Sequence, residues 1–169
     1  MKALVVVLAL AGAAHAEPIR EEVIGTQPLS LVGRGVSASY ERRISGRWSV
    51  VALGGLRAAA LVDFSSRTVS LGGEVRLWIR GCTPMRGPFV ALHVGAGHAR
   101  LTDDRMGYVG SATSLSQRID LGWRFTFRSR ISIAPTVGTG FREDIDSTGK
   151  LATTVRPQIA FGFEVGWLL

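Results

Sequence analysis

The C-terminal stretch 155–169 alternates between bulky apolar side chains and small or polar ones. Phe161 and Trp167 belong to the apolar set, whereas Gly162 and Glu164 belong to the set between them. Successive side chains of a β-strand point to opposite faces. The pattern therefore predicts a strand that has one apolar face and one face of glycines, small side chains and a carboxylate.

The same period of two residues continues through the chain beyond residue 16, where helical periodicity is absent. It predicts seven strands, including the C-terminal one, at 36–43, 48–60, 68–80, 89–101, 113–127, 131–142 and 155–169. The segment Ile19–Val32 alternates only loosely and contains Pro28. Because single-chain bacterial barrels have an even number of strands, we expect this segment to hold an eighth strand.

The connections between these strands are expected to alternate in length. Short turns are predicted near 43–47, 81–88 and 128–130, and longer loops near 61–67, 102–112 and 143–153. A tight turn at 33–35 would form the first connection. This alternation is typical of barrels with short periplasmic turns and long extracellular loops.

Residues 1–16 have the pattern of a secretory signal peptide. Lys2 supplies the positive charge, an apolar run follows, and Ala14-His15-Ala16 provides a cleavage site. The run is too short to span a bilayer as a helix. We therefore expect residues 17–169 to form a single exported domain. Cys82 is the only cysteine, which excludes an internal disulfide, and we interpret it as an incidental thiol.

Period two alone does not say which face meets water, because a soluble barrel buries its apolar face and a membrane barrel exposes it. The polar face here is rich in Gly, Ser and Ala, which suit the narrow interior of an eight-stranded barrel. Aromatic residues of the apolar face cluster near the short turns, as in an interfacial girdle: Trp48, Trp123, Phe127 and Trp167. The predicted fold is therefore all-β, an eight-stranded antiparallel up-and-down transmembrane β-barrel with a polar lumen filled by side chains.

Charged residues of the inward set must pair, since unpaired buried charges are costly. One predicted tier lies near the short-turn end and consists of Glu41, Arg76, Arg124 and Glu164. A second tier, farther along the strands, consists of Glu74, Arg118 and Asp120. We interpret the seven side chains as a structural, salt-bridged plug. Trp78 also falls in the inward set.

The chain resembles small bacterial outer-membrane β-barrel proteins of the OmpA/OmpX kind, whose last strand is a targeting signal. The resemblance rests on the alternating pattern of Ile19–Leu169 and on the ending Trp167-Leu168-Leu169, where that family usually ends in Phe or Trp. It implies a monomer in the outer membrane, contacts with outer-membrane lipid and lipopolysaccharide, and assembly by the barrel-assembly machinery through the C-terminal strand. A non-enzymatic role in envelope integrity or surface interaction is the leading expectation.

Three other functions stay open from the sequence. An outer-membrane hydrolase, such as a lipid A-modifying enzyme, would need a His–Ser–carboxylate set, but neither His93 nor His98 has a serine two residues later. Ser70 or Ser116 could approach from another strand. A small-solute conduit and a soluble periplasmic lipocalin-like barrel are the remaining alternatives.

No cofactor or metal site is predicted. The run Asp144–Gly149 resembles the start of a calcium loop, but Val155 stands where the final glutamate is expected. The formal net charge of +7 would suggest nucleic acid in a soluble protein, but export and the lack of a basic helix argue against that partner.

The predicted turns and loops carry opposite charges. The short turns hold arginines, namely Arg42, Arg43, Arg47, Arg80, Arg86, Arg128 and Arg130. The longer loops hold acids, namely Asp63, Asp103, Asp104, Glu143, Asp144 and Asp146. Basic turns would suit anionic lipid headgroups, and acidic loops could bind lipopolysaccharide phosphates through divalent cations.

Overall fold

The computed structural model describes residues 22–28, 34–61, 64–79, 85–103, 109–127, 130–146 and 154–169. The predicted signal peptide, Cys82 and the acids Asp63 and Asp104 lie outside these ranges. No helix among the described residues is long and apolar enough to cross a membrane.

Eight β-strands make up the described chain. Each strand pairs antiparallel with the next, and β1 pairs with β8, which closes the sheet into a ring. The prediction of an all-β chain with eight antiparallel up-and-down strands is confirmed, and β1 lies within the segment expected to hold the eighth strand. The strands are β1 Glu22–Thr26, β2 Gly35–Ser45, β3 Trp48–Leu61, β4 Phe64–Trp78, β5 Gly87–Asp103, β6 Val109–Thr126, β7 Ile131–Asp146 and β8 Thr154–Leu168.

Several strands are longer than the sequence pattern predicts. β3 and β4 pair as far as Leu61 and Phe64, so the loop predicted at 61–67 is wrong and only residues 62–63 connect them. The first connection is also longer than the tight turn predicted at 33–35, since β1 ends at Thr26 and β2 already begins at Gly35; residues 29–33 lie outside the described ranges. Polar side chains such as Ser65 and Ser66 break the apolar alternation, but their backbone still pairs with β3 and β5.

The up-and-down order gives the ring two ends. The terminal end, as we call it, holds the start of β1, the end of β8, the turn at 46–47, the ends of β4 and β6 and the starts of β5 and β7. The far end holds the ends of β1, β3, β5 and β7 and the starts of β2, β4, β6 and β8. Gly46, with a φ of 43°, lies in the two-residue turn between β2 and β3, where a side chain would strain the backbone.

Burial follows the alternation along each strand. On β8, Glu164 is 5% exposed, whereas Phe161 on the opposite face is 76% exposed. On β4, Arg76 is buried and Leu71 is exposed. Large apolar side chains thus cover the outside of the ring, while charged and small side chains occupy its interior.

Pro135 lies within β7, and its outward position avoids the crowded interior. The β6–β7 ladder omits the residues opposite it, because its register passes from the pair Gly122–Thr136 to the pair Phe125–Ile133. Proline has no backbone N–H to donate to a neighbouring strand. The break in the ladder is the local cost of this residue, and the β7–β8 pairing continues past it.

An apolar floor closes the interior at the terminal end. We use this name for Val23, Trp78, Met85 and Phe89, all of which are at most 3% exposed. The rings of Trp78 and Phe89 pack with their centroids 5.0 Å apart. The floor was not predicted as a unit, although Trp78 falls in the inward set of β4.

Candidate functional site: a charge network inside the ring

Four buried side chains meet in the middle of the ring, and each comes from a different even-numbered strand. Glu41 is on β2, Arg76 on β4, Arg124 on β6 and Glu164 on β8. Every one is at most 5% exposed. Since no two of these strands are neighbours, the side chains reach one another only across the interior. The alternate spacing of the strands therefore gathers the residues predicted as the first tier.

Each guanidinium in this group binds both carboxylates. Arg76 Nη1 donates to Glu41 Oε2 at 2.6 Å, and Arg76 Nη2 donates to Glu164 Oε2 at 2.9 Å. Arg124 Nη2 donates to Glu41 Oε2 at 2.6 Å and to Glu164 Oε1 at 2.7 Å. Such charge-assisted hydrogen bonds are short and strong, and they satisfy carboxylates that would be costly to bury alone.

The apolar floor supports this network from the terminal side. The Arg76 guanidinium carbon lies 4.8 Å from the centroid of the Phe89 ring, and that of Arg124 lies 5.4 Å from the centroid of the Trp78 ring. Cations are attracted to aromatic faces at such distances, most strongly where water is excluded. Ser49 links the two layers, because its hydroxyl donates to Glu41 Oε1 at 2.5 Å and accepts from Trp78 Nε1 at 3.0 Å.

The predicted second tier divides into two parts. Glu74 joins the first tier, since Arg76 Nε donates to Glu74 Oε2 at 2.9 Å. Arg118 and Asp120 instead form a separate pair, with Arg118 Nε 2.9 Å from Asp120 Oδ1. The Arg118 side chain is 21% exposed, whereas that of Asp120 is 4% exposed. The two predicted tiers are thus linked through Glu74 and Arg76.

His93 on β5 belongs to the same cluster. Its Nδ1 lies 3.3 Å from Glu74 Oε1, and the residue is 9% exposed. The pairing of Glu74 with His93 across β4 and β5 places both side chains on the inner face. The strand register, which the sequence of β5 alone does not contain, is what brings His93 to this partner.

A cavity of about 60 Å³ lies beside the network on the side away from the floor. Its lining includes five charged residues of the network: Glu74, Arg76, Arg118, Asp120 and Glu164. Its wall therefore combines carboxylates with guanidiniums, so it is a polar space within the ring.

The four aromatic residues predicted as a girdle all lie on the outside near the terminal end. Trp48 begins β3, and Trp167 lies near the end of β8. Trp123 lies among the last residues of β6, which ends at Thr126, and Phe127 follows that strand directly. They are 46–51% exposed. The rings of Trp123 and Phe125 stack with centroids 6.1 Å apart. The structure thus places these residues on the outer face of the ring, toward its terminal end.

A His–Ser–carboxylate set, which a hydrolase would need, is approached inside the ring: a Cβ at Gly95 would lie 2.9 Å from His93 Nε2 and 3.0 Å from Ser116 Oγ. His93 contacts Glu74, and Ser116 Oγ donates to the Gly95 carbonyl oxygen at 3.4 Å. The exposed His98 contacts Thr113. Within this part of the chain, no hydrogen bond joins a histidine to a serine.

The loop acids are only partly described. Arg142 Nε lies 2.7 Å from Asp144 Oδ1, so this acid already has a basic partner. The calcium-like run beginning at Asp144 continues into residues 147–149, which lie outside the described ranges. Comparisons with protein-family models, with curated proteins and with solved structures found no match for this chain.

Proposed function

We propose that this chain is a non-enzymatic β-barrel of the bacterial outer membrane, with a structural role in the envelope or a surface-interaction role. The observation that carries the proposal is the inverted polarity of the ring. Large apolar side chains face outward while Glu41 and Arg124, at most 1% exposed, lie inside. A water-soluble barrel has the reverse arrangement.

The outward apolar surface is too extensive for an ordinary soluble monomer. Leu71, Ile159 and Phe161 are each 69–76% exposed. They belong to a set that runs around the ring and includes Val36, Leu56, Leu92, Ile119, Leu121, Val137 and Phe141, each at least 46% exposed. Soluble monomers rarely expose contiguous apolar patches of more than a few hundred Å². Acyl chains would cover this surface without a protein partner.

Strand length supports a bilayer crossing with an overhang. A tilted membrane strand needs roughly 9–11 residues to cross the hydrocarbon core. The strands β5, β6 and β7 have 17, 18 and 16 residues. With Trp48, Trp123 and Trp167 at the periplasmic interface, these strands would extend beyond the outer leaflet and hold the far-end connections away from the membrane.

The filled interior supports a closed, structural barrel rather than a conduit. The network of Arg76 and Arg124 with their carboxylates spans the ring, and the apolar floor lies directly beneath it. A solute would have to break several charge-assisted hydrogen bonds and displace two buried aromatic rings to pass. The monomeric state, assembly through the C-terminal strand and contacts with lipopolysaccharide belong to the same proposal.

The test combines fractionation with gel mobility and conductance. Residues 1–169 are expressed in a Gram-negative host, and outer-membrane, inner-membrane and soluble fractions are separated. We expect the protein in the outer membrane, a band that changes mobility only after boiling in SDS, and no steady current in planar bilayers. Recovery as a detergent-free soluble protein would overturn membrane insertion. A steady current would favour the conduit, and lipid A cleavage by the purified protein would favour the hydrolase.

A further inference from the structure

Three interior side chains have the donor types and spacing of a divalent metal site. Glu74, His93 and Asp120 each offer one ligand atom, and these atoms lie within 4.8 Å of one another. All three residues are buried. Imidazole nitrogen together with carboxylate oxygen is a donor set that Zn²⁺ accepts.

The contact between Glu74 and His93 has a length that two ligands of one ion could also have. Nδ1 and Oε1 are 3.3 Å apart, longer than the usual range for a charge-assisted hydrogen bond. Two ligands bound tetrahedrally to zinc, at the usual bond lengths, are separated by about 3.3 Å. Glu74 Oε1 is available for this role because Arg76 binds the other carboxylate oxygen, Oε2.

The charge of the network points to a cation. Four carboxylates, those of Glu41, Glu74, Asp120 and Glu164, face three guanidiniums, those of Arg76, Arg118 and Arg124. One formal negative charge is therefore left in excess when His93 is neutral. If one divalent ion takes the place of Arg118, its two positive charges and those of Arg76 and Arg124 balance the four carboxylates, and the net charge is zero.

Arg118 would have to release Asp120 before this carboxylate could bind an ion. This arginine is the most exposed member of the network, with a side chain 21% exposed, and it binds only Asp120 among the network carboxylates. The cavity of about 60 Å³ borders Glu74, Arg118 and Asp120. Arg118 could therefore turn toward the far end and release Asp120, while Arg76 and Arg124 keep their partners.

We propose that Glu74, His93 and Asp120 form a binding site for a divalent transition-metal ion of the Zn²⁺ type, in competition with Arg118. The three side chains must close around the ion, because separations of up to 4.8 Å exceed the roughly 4.2 Å that two zinc–ligand bonds can span. The cavity supplies room for a further ligand. This site goes beyond the proposed envelope role, and it stands or fails independently of membrane insertion, because only the interior of the ring carries it.

The test is titration of the purified, untagged, metal-stripped protein with Zn²⁺ by calorimetry, with Co²⁺ absorption as a second readout. We expect one Zn²⁺ per chain, and His93→Gln should weaken binding by more than about 100-fold, beyond the effect of losing an outer-shell partner. The matched control is His98→Gln, since His98 is exposed and its Nδ1 lies 3.2 Å from Thr113 Oγ1, away from the three ligands. It should bind as the unchanged protein does.

Arg118→Gln keeps all three ligands and removes the competitor. We expect it to bind Zn²⁺ about tenfold more tightly, equivalent to about 1.4 kcal/mol. It should also lose thermal stability when metal-free and regain it when Zn²⁺ is added. Lack of binding by the unchanged protein, equal binding by His93→Gln, loss of binding in His98→Gln or weaker binding by Arg118→Gln would each overturn the site.

Discussion

Arg76 and Glu164 are 88 residues apart in the chain, yet Arg76 Nη2 donates to Glu164 Oε2 at 2.9 Å. They lie on β4 and β8, which stand opposite each other in a ring of eight strands. Their contact therefore bridges the full width of the interior, and it depends on the ring being closed.

Replacing Arg76 with alanine should strongly destabilise the protein. The change leaves Glu41, Glu74 and Glu164 buried with fewer cationic partners, and breaking a buried ion pair from one side costs about 3–5 kcal/mol. The free energy of unfolding, measured by urea titration in lipid vesicles, checks this. Arg142→Ala is the control, because Arg142 is 51% exposed in its pair with Asp144. An exposed pair contributes about 0–1 kcal/mol. Equal losses in the two variants would contradict a central role for the network.

Phe161→Arg tests whether the outer surface faces lipid. An arginine at the lipid-facing midplane of a barrel costs about 2–4 kcal/mol, and the cost falls toward zero at the interface. Val155 is on the same face of β8, closer to the far end, and Val155→Arg is the matched control. Both variants are compared by unfolding in vesicles, and we expect a loss only for Phe161→Arg. If both losses stay below about 1 kcal/mol, the surface around Phe161 does not contact acyl chains.

Tryptophan fluorescence should separate the outer girdle from the floor. The chain has four tryptophans, so variants that each keep one of them are accessible. Trp48, Trp123 and Trp167 are 46–48% exposed, whereas Trp78 is 3% exposed inside the ring. In vesicles of brominated lipid we expect quenching of the three outer residues and little quenching of Trp78. Strong quenching of Trp78 alone would contradict the proposal that this side chain faces the interior and the other three face lipid.

Two glycine-to-alanine changes form a matched pair. A Cβ at Gly138 would lie 2.7 Å from the Ile119 carbonyl oxygen and closer still to the Asp120 carboxylate, so Gly138→Ala should cost about 1–3 kcal/mol. A Cβ at Gly54 would meet only Leu71 Cδ2 at 3.9 Å, so Gly54→Ala should be neutral or slightly stabilising. Unfolding free energies of the two variants check this. A neutral Gly138→Ala would mean that β6 and β7 can move apart at this level.

Much of the fold could be predicted because period two is a local property. Each strand's own residues determine which side chains share a face, so Glu41, Arg76, Arg124 and Glu164 could be placed inside the ring from the sequence. The ion pairs among these four residues could be predicted because their opposite charges lie at similar depth in the interior. The role of Trp78 in the floor follows less directly, because alternation gives its face but not its neighbours.

The remaining features depend on relations between strands that are distant in sequence. His93 joins the network because β4 and β5 pair in a register that sets it against Glu74. Phe89 and Met85 reach the floor from the connection and first residues around the start of β5. The strand ends were misjudged at 61–67, where backbone pairing continues beneath polar side chains. A single strand's composition carries no signal for any of these relations.

The ring is closed by β1, its shortest strand. β1 has 5 residues and pairs through four of them with β2 and through four with β8. Every other pair of neighbouring strands shares a longer hydrogen-bonded ladder. Heat or a chaotropic denaturant should therefore separate β1 from its neighbours before any other strands. Once β1 detaches from both neighbours, β2 and β8 have unpaired edges. Water can then reach the buried ion pair between Arg76 and Glu164 from the side.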